Sequence, residues 1–544
     1  MKRLVLTAFV SLMLLSAWAI PARRGGIIVT QSDGSQITVY QHGDEHFHWM
    51  TNENGEWIER TSTGDFQVVK ALSADEIATR RMQSSRQVTG KQQASELNIA
   101  PRGLIILVNF QDVQFQTSRA EMDSMINGSN YIREYSYKRY GKTYNISSQG
   151  SVKQYFQDVS AGQYQPQFDV VGPVTVSKNM AYYGANNQST GSDLRAEAMI
   201  AEACKLVNDS VDFTLYDNNN SGDVDFVYVF YAGFGEADGG GATTIWPHQY
   251  YLSQYQTVRL DGKLIDRYAC SNELSNYSKH HEGIGSFCHE FSHVLGLPDL
   301  YSTDDYAVNH RTCVDWDIMD YGAYNNDGNT PPSYSSYERF FMGWLTPRVL
   351  TDCEIVTLND LQTTNEALLI CSTDEHNLVG NDPNPTTFYM IENRQQTGWD
   401  SHLAGHGMML TKIAYSSKIW FNNTVNNKPK SMGVDIIEAD GIAEDYSDYG
   451  TNANYWGKPT DLFPAGSTEY LGIAEHPIKD IKEKDGVITF NYKDAPSAVE
   501  DVQDGGKIVA IYNLLGQPVS TTDVLPQGTY IIKTTQGVKK ITIQ

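Results

Sequence analysis

An α+β fold is predicted: an α/β lobe with a histidine-bearing helix, then a β-rich region and a small C-terminal β-sandwich. Three observations predict it. Two continuous apolar runs, at 104–108 and 226–232, lie among segments of helical periodicity. A compact helical stretch carries histidines at 289 and 293. From about residue 350 onward, short strands alternate with turns.

The elements follow in chain order. Residues 27–70 alternate as strands do (Ile27, Val29, then Ile37, Val39), with Asp33-Gly34 and Asn54-Gly55 as turn material. Residues 72–100 turn polar and basic, with Arg80-Arg81, Arg86 and Lys91. A small β unit followed by an exposed basic linker reads as a propeptide with a processing site, or else as an ordinary N-terminal domain and loop. Leu104–Val108 reads as a strand buried on both faces. Ser151 is a suitable N-cap for a helix to Val159 with Tyr155 and Phe156 on one side. Leu194, Ala198, Met199, Ala201 and Leu206 give 192–207 the spacing of a backing helix. Phe226–Ala232 is a second buried strand, Gly235–Gly241 a flexible glycine loop, and Ile284–Gly296 the histidine helix. Phe388–Ile391 and Gly407–Leu410 are strands of a β-rich part of the same unit or of a packed accessory domain. A linker at 494–506 precedes a compact β tail with strands at Ile508–Tyr512 and Thr529–Ile532.

At 544 residues the chain is too long for one hydrophobic core. With 40% hydrophobic and 19% charged residues it reads as globular. A net charge of −24 repels polyanions, so nucleic acid is not expected as a partner. Lys2-Arg3, the apolar run Leu4–Trp18 and the small residues of Ala17-Trp18-Ala19 read as a signal peptide over 1–19, hence export to the cell surface or exterior. No later stretch approaches the 18 uninterrupted apolar residues of a membrane span, so no integral membrane segment is expected after signal cleavage. Six cysteines follow no spaced framework and allow 15 connectivities, so no pairing is predicted. None lies between residues 20 and 203, so a propeptide thiol cannot block a metal. His42, Asp44, Glu45, His46 and His48 offer ligands there, or are ordinary hairpin residues.

Cys288-His289-Glu290-Phe291-Ser292-His293-Val294-Leu295-Gly296-Leu297-Pro298-Asp299 concentrates the chemistry. Histidines at i and i+4 share one helical face, about 6 Å apart, close enough to hold one ion. Glu290 adjoins the first ligand and can reach a water on that ion without being a ligand. Gly296 permits a sharp exit, Pro298 stops the helix, and Asp299 arrives as a third ligand. Zinc is the metal this set suits. Separately, Asp217, Asn219, Ser221, Asp223 and Asp225 place oxygen-bearing side chains at alternate positions around Gly222, as in a calcium loop, or form a polar turn. Tyr228 stands where an EF-hand has its bidentate glutamate.

HEFSHVLGLPD resembles the HExxHxxGxxH/D signature of the metzincin proteases, in the branch with aspartate in the third place. That likeness implies a zincin-type catalytic domain and a methionine turn under the metal. Met319 in Trp316-Asp317-Ile318-Met319-Asp320-Tyr321-Gly322 matches the turn, and Tyr321 matches a tyrosine that stabilises the oxyanion in some members. At family level the chain resembles the immune inhibitor A-like metalloproteases over roughly 25–490, through Ile245-Trp246-Pro247-His248, Glu338-Arg339-Phe340-Phe341-Met342-Gly343-Trp344, Glu392-Asn393-Arg394 and Asp461-Leu462-Phe463-Pro464. Glu338 is the rival third ligand, in a thermolysin-like arrangement. The tail, with Asn513-Leu514-Leu515-Gly516-Gln517 and Leu525-Pro526-Gln527-Gly528-Thr529-Tyr530, looks like the sorting domain of type IX secretion substrates, which implies the secretion machinery as a partner.

The expected function is a secreted zinc endopeptidase acting on proteins and made as a zymogen. Its expected parts are a signal peptide (1–19), a propeptide (20–98), a catalytic domain (99–350), a β-rich part (351–493) and a sorting domain (500–544), with Glu290 and Tyr321 catalytic. The alternative is a secreted β-rich adhesin or glycan-binding protein with a structural metal.

Overall fold

The computed structural model describes residues 20–45, 47–61, 63–73, 76–77, 101–187, 192–303, 311–442, 456–494, 508–519, 528–535 and 538–543. The expected signal peptide, the basic residues Arg80, Arg81, Arg86 and Lys91 of the 72–100 linker, His46 and all but Asp494 of the 494–506 linker lie outside these residues. The fold is a mixed α+β one, rich in sheets.

The N-terminal alternation becomes a five-stranded antiparallel meander of β1 (Ile27–Thr30), β2 (Gln36–Gly43), β3 (His48–Thr51), β4 (Trp57–Arg60) and β5 (Phe66–Val68). The main body is built on a second five-stranded sheet of β6 (Arg102–Asn109), β7 (Gln167–Thr175), β8 (Val227–Phe234), β9 (His248–Tyr251) and β10 (Arg267–Leu274). Its order is β9-β10-β8-β6-β7, all parallel except the antiparallel edge strand β9.

Both faces of this sheet are covered, which is why β6 and β8 read as unbroken apolar runs. Ile105, Leu107, Tyr228 and Phe230 face a core shared with helices α1 (Arg119–Asn127), α2 (Val152–Val159) and α4 (Gly285–Leu295). Leu104, Ile106, Val108, Val227 and Val229 face helix α3 (Ala196–Val207) through Met199, Ile200 and Cys204. Ser151 caps α2 as its sequence position predicts, its hydroxyl accepting the Gln154 N–H at 3.2 Å.

Four expectations need correction. Leu206 was expected on the packed stripe of the backing helix, but it is exposed, and Leu194 lies before the helix begins. The Gly235–Gly241 loop is tied down rather than loose: Glu236 and Asp238 are buried, and Glu236 N–H donates to the Ile245 carbonyl at 2.9 Å. No C-terminal sandwich forms among the described residues. The tail is one four-stranded sheet with a small cluster of Ile511, Tyr530 and Ile532, while Val509, Leu514 and Leu515 are exposed. Its apolar residues are too few to bury two sheet faces. All six cysteines are unpaired.

The β-rich region after residue 350 packs into the same core as the histidine helix: Met390, Met409 and Ile413 cluster with Phe287 and Phe291. A buried ionic knot ties the two parts. Arg394 bonds Glu392 at 3.0 Å and Asp400 at 2.7 Å, and these carboxylates accept the backbone N–H of Ser336 and Ser333. Removing one partner of a buried pair leaves charge unpaired in a dry site. Arg394→Met is therefore expected to lower the unfolding free energy by about 3–5 kcal/mol, measured by urea denaturation of the purified chain.

Candidate metal centre

Helix α4 is set by two glycines. A Cβ on Gly285 would fall 1.8 Å from the Ala323 carbonyl oxygen, so the helix start can lie against the 323–328 segment only without a side chain. At the other end Gly296 has φ 105°, the left-handed cap that reverses the chain toward Asp299. His289, Glu290 and His293 are all buried on this helix.

Each imidazole is aimed by its second nitrogen. His289 Nδ1–H donates to the Ile318 carbonyl at 2.7 Å and His293 Nδ1–H to the Leu297 carbonyl at 2.8 Å. Both Nε2 atoms are thereby turned to one point, 3.1 Å apart. Asp299 Oδ1 is 3.2 Å from each of them. The Met319 carbonyl accepts the Leu300 N–H at 2.8 Å, so the buried Ile318-Met319 segment braces both the first histidine and the segment after Asp299. Asn423 holds Asp299 from behind, its amide donating to Oδ2 at 2.5 Å and its carbonyl oxygen accepting the Asp299 N–H at 2.7 Å.

Among the described residues, His289, His293 and Asp299 are the one group of metal-ligand type whose donor atoms converge, within 4.8 Å. Among those residues, buried Asp299 Oδ1 has no hydrogen-bond partner. Burial alone would raise the Asp299 carboxyl, but the two imidazoles more than offset it and hold it well below the usual range. Two imidazole nitrogens and one carboxylate oxygen, dry and facing one point, fit a divalent ion with an open position. Glu338 does not join them. It closes a capping box on the Ser336–Phe341 helix, accepting the Ser335 N–H at 2.7 Å, and burial and the neighbouring Asp317 push its carboxyl well above the usual range.

Glu290 Oε1 accepts the backbone N–H of Ile20 at 2.9 Å, and burial pushes its carboxyl up to about 8 against the opposing pull of His289 and that N–H. Sequence reasoning missed this partner. Its signal was indirect: Ile20 is the first residue after the signal cleavage point read at Ala19. Glu45, one of the suggested blocking residues, feels the charges of the site. Burial raises its carboxyl, and Asp44, Asp299 and Glu290 push it the same way. His48 instead stacks on Trp246 and lies 3.1 Å from Glu236, and His42 stacks on Trp49. Tyr321 is half-buried under the Arg24 guanidinium, which lies 3.4 Å from its ring centre.

At the suggested calcium loop, Asp217 accepts the N–H groups of Ser221 (2.8 Å) and Gly222 (3.0 Å) and the Lys263 ammonium (2.5 Å). Asp225 takes the Asn218 amide at 2.6 Å, Asn219 takes the Ser221 N–H at 2.9 Å, and Asp223 is exposed. Lys263 thus supplies the positive charge here, and a calcium ion would have to displace it.

A histidine pair on one helix and an aspartate just beyond its end converge on one point with a glutamate beside them, a set that could hold a divalent metal. Comparison with known proteins agrees: residues 92–345 match the family model described as Immune inhibitor A peptidase M6, catalytic domain. The chain is 27% identical over 251 residues to Pre-pro-metalloprotease PrtV of Vibrio cholerae serotype O1, covering 42% of this chain and 27% of that protein. It is 26% identical over 269 residues to Immune inhibitor A of Bacillus thuringiensis subsp. alesti, covering 44% of this chain and 39% of that protein. The chain therefore spans well under two thirds of either relative.

The bracing asparagine carries a prediction of its own. Groups that hold a metal ligand in place by hydrogen bonds are typically worth about 10–100-fold in affinity, so Asn423→Ala is expected to weaken ion binding by that factor, read by competition with a zinc chelator.

Proposed function

We propose that this chain is a secreted zinc endopeptidase, made as a latent precursor, with His289, His293 and Asp299 holding the ion. The observation that carries the reading is the convergence of three buried donor atoms at 3.1–3.2 Å beside a glutamate that is not among them. A zinc ion there supplies Lewis acidity toward the scissile carbonyl. Glu290, fixed on the same helix, accepts the proton of the attacking water and returns it to the leaving nitrogen. Tyr321 is the proposed oxyanion partner, released when Arg24 leaves its ring. Residues 1–19 are the proposed signal peptide and 20–98 the propeptide; 99–350 and 351–493 form the protease, and 500–544 carries a type IX sorting signal.

The "pre-pro" in the name of the Vibrio relative supports precursor synthesis. Among the described residues, no helix is long and apolar enough to cross a membrane. The test is cleavage of denatured casein by the secreted protein. Chelator-sensitive cleavage restored by zinc supports the reading, while tightly held zinc with no cleavage supports a structural metal in an adhesin.

A further inference from the structure

The residues that follow the predicted signal cleavage point thread the catalytic body. Ile20, Pro21, Ala22 and Arg23 are all buried. Three main-chain groups of this segment, besides the Ile20 N–H on Glu290, are held by the body. The Trp246 indole N–H donates to the Ile20 carbonyl at 2.9 Å, and the Tyr324 hydroxyl donates to the Pro21 carbonyl at 2.7 Å. The Arg23 N–H donates to the Ala237 carbonyl at 2.8 Å. These contacts read backbone, so they would suit many peptides.

The Arg23 side chain is read differently. Its guanidinium lies 3.2 Å from Asp238 Oδ1, 2.5 Å from Asp327 Oδ1 and 3.1 Å from Ser275 Oγ. It sits between the rings of Tyr277 and Tyr324, 4.1 and 5.4 Å from their centres. The Tyr135 hydroxyl fixes Asp327 Oδ2 at 2.6 Å. Asp238 and Asp327 are 2% and 6% exposed, so a cation is needed there whether or not Arg23 is present. Every pocket group comes from residues 135–327, within the matched catalytic region, and none from the segment it binds.

We infer that the Arg23 pocket is a guanidinium-recognition subsite of the cleft, which anchors the N-terminal segment in the precursor and takes an arginine side chain of the substrate once that segment is gone. The inference rests on the protease reading and deepens it. Ile20 presents its nitrogen to the group that would protonate the leaving nitrogen, so it stands in the first leaving-side position and Arg23 in the fourth. A planar, forked cation between two rings favours arginine over lysine.

Two peptides of one sequence, with arginine or its neutral isostere citrulline at the fourth leaving-side position, are offered to the active secreted protein after removal of its N-terminal segment. The expected result is a kcat/KM at least about tenfold higher for the arginine peptide, falling to parity in Asp327→Asn, whose melting temperature is the control for folding. Equal cleavage of the two peptides by the wild-type protein overturns the inference. If neither peptide is cut, calorimetry decides: selective binding of the arginine peptide keeps the pocket and sinks the protease reading, and unselective or absent binding sinks the pocket.

Discussion

Glu290→Gln is expected to cut casein turnover by about a thousandfold, the middle of the range for a positioned general base, while zinc content and melting temperature stay at wild-type values. The reasoning is geometric. Glu290 lies on α4 between the two histidines but sends its carboxylate to the Ile20 N–H, outside the converging donor set. An amide of the same size can still accept that N–H through its oxygen, so the docked segment and the helix packing survive. What it cannot do is take a proton from water. Wild-type turnover in this variant would remove Glu290 from the mechanism.

Asp299→Ala is expected to fail differently, losing the ion as well as the activity. Asp299 Oδ1 is equidistant, at 3.2 Å, from both Nε2 atoms, and Oδ2 is spoken for by Asn423. Without it two imidazoles remain, and two ligands do not make a stable zinc site. Zinc is expected in fewer than about one in ten purified chains, measured by elemental mass spectrometry against protein concentration. Full zinc occupancy would mean that another group completes the set. The contrast between the two variants separates a ligand beyond the Gly296 cap from a base on the helix before it.

How far this site is legible from sequence depends on how local its determinants are. The histidine spacing, the Gly296 cap and the Asp299 offset are all encoded within eleven residues, and the structure brings the three side chains to one point. The buried strands at 102–109 and 227–234 were legible because both sheet faces are covered, leaving continuous apolar runs. The offset favours Asp299 over Glu338 as the third ligand, but what occupies Glu338 is not local to the histidine helix: it is the capping box at Ser335, with its carboxyl buried beside Asp317. The Ile20 contact lies 270 residues from Glu290 in sequence, and no periodicity or motif reports a pairing at that distance. The glycine loop at 235–241 misled for a related reason: composition suggested freedom, but Asp238 and the Ala237 carbonyl are recruited by a distant arginine.

Zinc-edge X-ray absorption on the active secreted protein tests the central claim most directly. The account predicts two imidazole nitrogens at about 2.0–2.1 Å, carboxylate oxygen from one residue, and a remaining position filled by exchangeable solvent. A sulfur scatterer, which would bring Cys288 into the shell, or a fourth protein ligand closing that position, would contradict it.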